Sequence, residues 1–162
     1  MRKICYAFIL LISFFNCENS DPTQFSEAAL NDVFETLGGD QVAFREILEK
    51  YEGRTVLIDV WASWCSDCIK SMPDLKTVQD EYTDVAYVFL SLDRGQEAWK
   101  RGIEKYKVKG EHYYMLSGRE GAFGEFANLS WIPRYMVVDK KGRIKLFNAI
   151  KPNDKRIKVL LK

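Results

Sequence analysis

The sequence predicts an α/β protein built on a mixed sheet, and three stretches carry that prediction. Residues 55–61 (TVLIDVW) form an almost unbroken apolar run rich in β-branched side chains. That is the pattern of a strand buried on both faces at the centre of a parallel sheet. Residues 85–92 (VAYVFLSL) repeat it. Near the C-terminus, residues 135–139 and 143–148 read as two strands joined through Lys140-Lys141-Gly142, a hairpin signal. Strand, helix, strand, helix, hairpin and a closing helix give an order in which parallel and antiparallel pairing coexist. A length of 162 residues suits one domain.

Taken in order, residues 1–16 read as a signal peptide. Arg2 and Lys3 open it, residues 4–15 are apolar with only Ser13 interrupting, and the chain turns polar from Asn16. The run falls short of the roughly 20 residues a membrane span needs. Cys17 stands where a bacterial lipoprotein signal places its lipidated cysteine. Phe14, Phe15 and Asn16 depart from the aliphatic and small residues usual there, which leaves simple secretion with a free Cys17 as the alternative. An exported chain lives where disulfides form.

Residues 17–36 are expected to be a tether and an N-terminal helix. Residues 26–37 and 40–51 read as helical, separated by Gly38-Gly39. The second is capped by Asp40, places Phe44, Ile47, Leu48 and Tyr51 on one face, and ends at Gly53. After the strand at 55–61 comes a helix from about Cys65 to Tyr82. The strand at 85–92 leads to a helix over 96–106, with Trp99 and Ile103 spaced by four. A short strand at 112–116 and a helical turn or two at 121–128 precede the hairpin. A helix over 153–161, capped by Asn153, closes the chain.

Composition excludes several functions. The chain has 24 basic and 23 acidic residues, a formal net charge of +1, and so lacks the field that nucleic-acid binding needs. Its single His leaves little scope for a His-rich metal site or a Ser-His-Asp triad.

The chemistry lies at Cys65-Ser66-Asp67-Cys68. The pair directly follows a buried strand and opens a helix, where unpaired backbone N–H groups and the helix dipole favour an anion. A free Cys has a pKa of about 8.5, so only about 3% is thiolate at pH 7. A helix N-terminus raises that fraction. Cys65 is the expected nucleophile, and Cys68, further into the helix, the resolving thiol. A zinc site needs four ligands, and outside the pair only Cys5, Cys17 and His112 remain. A purely structural disulfide would close too short a loop to stabilise much. Two inert core thiols are the remaining plain reading.

The string Ile58-Asp-Val-Trp-Ala-Ser-Trp-Cys-Ser-Asp-Cys68 resembles the active-site region of thioredoxin-fold proteins. Trp61 and Trp64 stand at that family's two tryptophans, Pro73 at its helix proline, and Ile132-Pro133 at its cis-proline motif. The resemblance is closest to the exported, membrane-tethered thiol-disulfide oxidoreductases of the TlpA/ResA type, common in Bacteroidetes. Ser91-Leu-Asp93 followed by Trp99 is similar to the stretch that opens that group's insertion, here residues 94–129. The resemblance implies a thioredoxin-like domain over residues 37–162.

It further implies that Asp59 is the buried carboxylate that relays a proton to or from Cys68. The plain alternative is a strand-end carboxylate satisfied by a Lys. Pro133 would be the cis residue, presenting the Ile132 backbone to a substrate strand. Trp64 would line the substrate surface, with core filling as its alternative, and Trp131 would either extend that surface or anchor its loop. His112 reads as a solvated or hydrogen-bonded strand residue, and Met72, Met115 and Met136 as core.

One departure matters. Asp67 puts a negative charge beside the thiols, which disfavours a thiolate and implies a reducing poise. Ser66 could partly offset it by donating a hydrogen bond to sulfur.

The expected function is reduction of disulfides in exported proteins, with electrons from a membrane donor, a lipid anchor at Cys17, no metal and no organic cofactor. The alternatives are a disulfide oxidase or isomerase, and a non-catalytic binding lipoprotein on the same scaffold.

Overall fold

The computed structural model describes residues 21–162. The signal peptide, Cys5 and Cys17 lie outside the described residues. The chain runs α1 (Glu27–Leu30), β1 (Val33–Thr36), β2 (Gln41–Ala43), α2 (Phe44–Glu49), β3 (Val56–Trp61), α3 (Ser66–Glu81), β4 (Ala86–Ser91) and α4 (Gln96–Tyr106). It continues through β5 (Glu111–Met115), a 3-10 turn at Gly118–Glu120, α5 (Ala122–Phe126), β6 (Arg134–Val138), β7 (Ile144–Ala149) and α6 (Lys155–Leu160).

Seven strands form one mixed sheet in the order β2-β1-β5-β4-β3-β6-β7. The strands β3, β4 and β5 run parallel, and β6 pairs antiparallel with β3. All six residues of β3 are buried, so its apolar run belongs to a strand covered on both faces. The chain leaves the C-terminal end of β3 directly into the cysteine motif. Outside the carboxyl ends of parallel strands is where open α/β sheets place their sites.

The hairpin through Lys140-Lys141-Gly142 is present, and Gly142 takes a φ of +75° there, which a side chain rarely adopts.

The N-terminal elements differ from the sequence reading. Only Glu27–Leu30 of residues 26–37 is helical, and Val33–Thr36 is a strand. Residues 41–43 are its hairpin partner, so α2 starts at Phe44 rather than after Asp40. Tertiary pairing explains the change, because β1 also docks antiparallel on β5, with Phe34 opposite Met115. Packing adds to it. Phe25, Phe34 and Phe44 join Phe123 in one aromatic cluster, with Phe44 and Phe123 ring centres 4.7 Å apart. The helical reading of 40–51 does correctly place Phe44 and Ile47 in the core.

At the C-terminus the cap of α6 is Asp154, whose carboxylate accepts the Arg156 N–H, and the Asn153 amide reaches Asp74 instead. Met115 and Met136 are core residues, and Met72 is half-buried against the core. His112 is buried, stacked on Phe89, with Nε2 3.1 Å from the Val108 carbonyl.

Candidate active site

Cys65 is the N-cap of α3, and its Sγ accepts the Cys68 N–H at 3.1 Å. That donor is one of the unpaired N–H groups every helix start leaves, and here a sulfur takes it. Cys65 and Cys68 are joined as a disulfide, with Cα atoms 5.3 Å apart. Cys65 is 6% exposed and Cys68 2%, so the first cysteine is the more reachable. The Ile132-Pro133 peptide is cis, and the Ile132 carbonyl oxygen lies 3.7 Å from Cys65 Sγ. Ile132 is buried while the preceding Trp131 is 58% exposed. Trp64 is 49% exposed, with the Arg94 guanidinium 5.9 Å from its ring centre. A surface with Trp64 and Trp131 exposed therefore adjoins a reachable sulfur.

Asp59 lies two residues before the end of β3, 5% exposed. Burial pushes its carboxyl pKa up from 3.8 to about 8, and the neighbouring Tyr135 hydroxyl only partly offsets that. Its Oδ1 has no hydrogen-bond partner. Tyr135 is directly opposite Asp59 in the β3–β6 register, so the two side chains share one face of the sheet. The Tyr135 hydroxyl is 3.0 Å from Ser71 Oγ on α3, and Ser71 Oγ donates to the Cys68 carbonyl at 2.8 Å. The structure thus places Asp59 under the active-site helix and, among the described residues, pairs it with no Lys.

Two further residues hold the site in shape, and the sequence reading assigns neither of them a role there. Buried Asp93 accepts the Ser63 N–H at 3.0 Å, the Ser63 hydroxyl at 2.6 Å and the Ser91 hydroxyl at 2.9 Å. It ties the end of β4 to the loop that delivers Trp64 and Cys65. Arg134 donates to the Ala127 and Asn128 carbonyls at 2.6 and 3.3 Å, bracing the segment ahead of Trp131. For Asp93 the Ser91-x-Asp93 spacing was the available signal, whereas nothing local marked Arg134.

Close packing behind the loop gives a first test. A Cβ at Gly102 of α4 would lie 2.5 Å from Ser63 Cβ and 3.3 Å from the Trp61 ring. Gly102→Ala should therefore displace Ser63 and cost about 1–3 kcal/mol, read as a lower urea midpoint. An unchanged midpoint would mean the loop yields freely.

Asp67 is half-exposed at the mouth of the motif, with Lys70 Nζ 3.6 Å from its Oδ1. The charge that the sequence reading sets against the thiols is thus shared with a cation one turn on. Among the described residues no cluster of ligand-type side chains could hold a metal ion, and no helix is long and apolar enough to cross a membrane.

With that geometry in place, comparisons with known proteins point one way. The Redoxin family model matches residues 27–157. The thioredoxin-like protein YneN of Bacillus subtilis is 27% identical over 125 residues, covering 75% of this chain and 69% of that one. The thiol-disulfide oxidoreductase ResA of Bacillus cereus is 22% identical over 139 residues, covering 85% and 75%. A solution structure of a Bacteroides vulgatus protein assigned as a thiol-disulfide oxidoreductase superposes with a TM-score of 0.65. It is 30% identical, and the match covers 80% of this chain and 82% of that one.

Proposed function

This chain belongs to the Redoxin family, as a TlpA/ResA-like thiol-disulfide oxidoreductase, and from that premise we propose that it works outside the cytoplasm, reducing disulfides of exported proteins. The observation that carries the mechanism is the placement of Cys65: at the N-cap of α3, bonded by the Cys68 N–H and facing the Ile132 carbonyl.

In this reading the Cys65 thiolate attacks one sulfur of a substrate disulfide, and the other sulfur leaves with the bonding electron pair. Cys65 is then in a mixed disulfide. The Cys68 thiol passes its proton to the Asp59 carboxylate, attacks Cys65 Sγ and closes the Cys65–Cys68 bond. The second substrate sulfur departs, so two electrons have passed to the substrate. The thiols carry both electrons, and the reading calls for no organic cofactor. Ile132 offers backbone to a substrate chain laid alongside as a strand, ahead of Pro133, and Trp64 offers an apolar face. A membrane electron donor then restores the dithiol. Residues 1–16 serve as the signal peptide and Cys17 as the lipid anchor that keeps the protein near that donor.

Two features pull the redox poise in opposite directions. The Cys68 N–H and the start of α3 stabilise a Cys65 thiolate, which makes the disulfide more oxidising and favours an oxidase. The Asp67 carboxylate disfavours that thiolate, though Lys70 blunts it. We give Asp67 the greater weight because its charge lies between the two cysteines, next to Cys68 in the motif.

The test is the reduction potential of the pair, followed by Trp fluorescence in thiol buffers. A value near about −270 mV is expected, and one near about −120 mV would replace reductase with oxidase. Asp67→His should lower the Cys65 thiol pKa and move the potential upward. An unchanged pKa would remove Asp67 from the account.

A further inference from the structure

We propose that Tyr135 and Ser71 form the route by which a proton passes between buried Asp59 and the open cavity beside Pro133. The proposal rests on the reading that Asp59 takes the Cys68 proton. A carboxyl that accepts a proton in every turnover must also lose it, and Asp59 is buried beneath the sheet's covering helix.

Among the described residues, the side chain that acts on the Asp59 carboxyl is that of Tyr135. The neighbour of Asp59 on β4 is Phe89, which carries no proton, and its neighbour on β6 is Tyr135. The Tyr135 ring is fully buried, and its hydroxyl meets Ser71 Oγ at 3.0 Å. Ser71 Oγ already donates to the Cys68 carbonyl, so the hydrogen between the two hydroxyls comes from Tyr135. Ser71 is half-buried and lines a cavity of about 350 Å³ with Asp67, Lys70, Asp74, Trp131 and Pro133. Carboxyl, phenol and hydroxyl thus lead from the core to water.

Burial, and next the Asp59 charge, hold the Tyr135 phenol well above its ordinary pKa. It passes protons on without storing a negative charge. Asp74 on α3 is the other acidic group that faces Tyr135, and no cation acts on the Asp59 carboxyl among the described residues.

The proton count closes. Asp59 gives its proton to the Tyr135 oxygen, Tyr135 passes its own to Ser71, and Ser71 turns from the Cys68 carbonyl and passes its own to water. One proton reaches solvent and every hydroxyl is restored. Re-reduction runs the chain backwards.

Because Asp59 holds its proton up to a pH of about 8, the exit gates resolution below that pH and not above it. Reduced protein would be mixed with a disulfide-containing peptide and the Cys65–Cys68 closure followed by stopped-flow Trp fluorescence from pH 5.5 to 9.5. Tyr135→Phe and Ser71→Ala should each slow resolution about tenfold at pH 6–7 and approach the parent rate above pH 9. Ser71→Thr, which keeps a hydroxyl, should restore it. Asp59→Asn should slow resolution at every pH.

If Asp59→Asn is slow while both hydroxyl variants match the parent at all pH values, the route is wrong and the relay stands. If Asp59→Asn is as fast as the parent, the relay itself fails and the route with it. Equal slowing across the whole pH range, or no recovery with Ser71→Thr, would assign the two hydroxyls to packing alone and overturn the proposal.

Discussion

Replacing Cys68 with Ser should give a protein that captures disulfide substrates and does not release them, while replacing Cys65 with Ser should remove activity altogether. The two cysteines are not equivalent. Cys65 is the more exposed, caps α3, receives an N–H and faces the Ile132 carbonyl. Cys68 sits inside the first helical turn, almost fully covered. Attack from outside reaches Cys65, and only an internal thiol is placed to displace the product.

A serine hydroxyl at position 65 stays protonated at neutral pH and is a poor nucleophile toward sulfur. Turnover should fall by at least about 10³-fold. In Cys68→Ser the first attack survives, so non-reducing mass spectrometry should find substrate bound through Cys65. Retention of more than about 1% of parent turnover in Cys65→Ser would sink the redox reading, since a 10³-fold loss leaves about 0.1%. It would shift the weight to a binding protein on the same scaffold. Absence of a mixed disulfide in Cys68→Ser would reverse the order of the two thiols.

How much of this was legible beforehand follows from what each residue depends on. The cysteines, Asp59 and Trp64 lie within one short stretch, where a buried strand runs into a helix. Local pattern was enough to find the cysteines, and the stretch's resemblance to thioredoxin-fold proteins marked Asp59 and Trp64. Ile132-Pro133 is marked by the same resemblance, at the family's cis-proline motif, and the cis bond gives it a backbone meaning of its own. Asp93, Arg134, Tyr135 and Ser71 depend on register and packing. Tyr135 meets Asp59 only because β6 pairs antiparallel with β3 in one alignment, and no spacing in the sequence carries that.

The same limit explains the N-terminal elements. Leu30, Val33, Phe34 and Leu37 stand at helical spacing, while Val33, Phe34 and Thr36 are strand-favouring residue types. The edge of β5 decided between them. Gly38-Gly39, a break between helices in the sequence pattern, is the turn of a hairpin, with Gly39 at a φ of +93°. In the middle of the chain, strands longer than five residues and buried on both faces left no such choice.

Asp59→Asn should make the folded protein more stable at high pH and less stable at low pH. The carboxyl pKa is raised from 3.8 to about 8 by burial, so between those values the folded state keeps a proton that the unfolded state has lost. More protons on the folded side means stability falls as pH rises through that window, and it levels off above about 8. The full loss is several kcal/mol, on the order of 5–6.

Asparagine has no charge to bury, so the variant escapes this loss. It gives back about 1–3 kcal/mol by placing an amide where Oδ1 already lacks a partner. Near pH 4 the variant should be weaker by that roughly 1–3 kcal/mol, and at pH 9 it should be stronger by a few kcal/mol. His112, whose pKa burial lowers, also makes stability fall, but as pH drops below its ordinary range, and it does so in both proteins. That contribution cancels in the difference.

Urea unfolding of the oxidised parent and variant at pH 4.5, 6, 7.5 and 9 measures the gap directly. A gap that grows with pH through that window identifies Asp59 as a carboxyl kept at a cost to stability, which is what a group retained for proton transfer looks like. A gap independent of pH would mean that Asp59 titrates normally and has no special claim to the proton of Cys68.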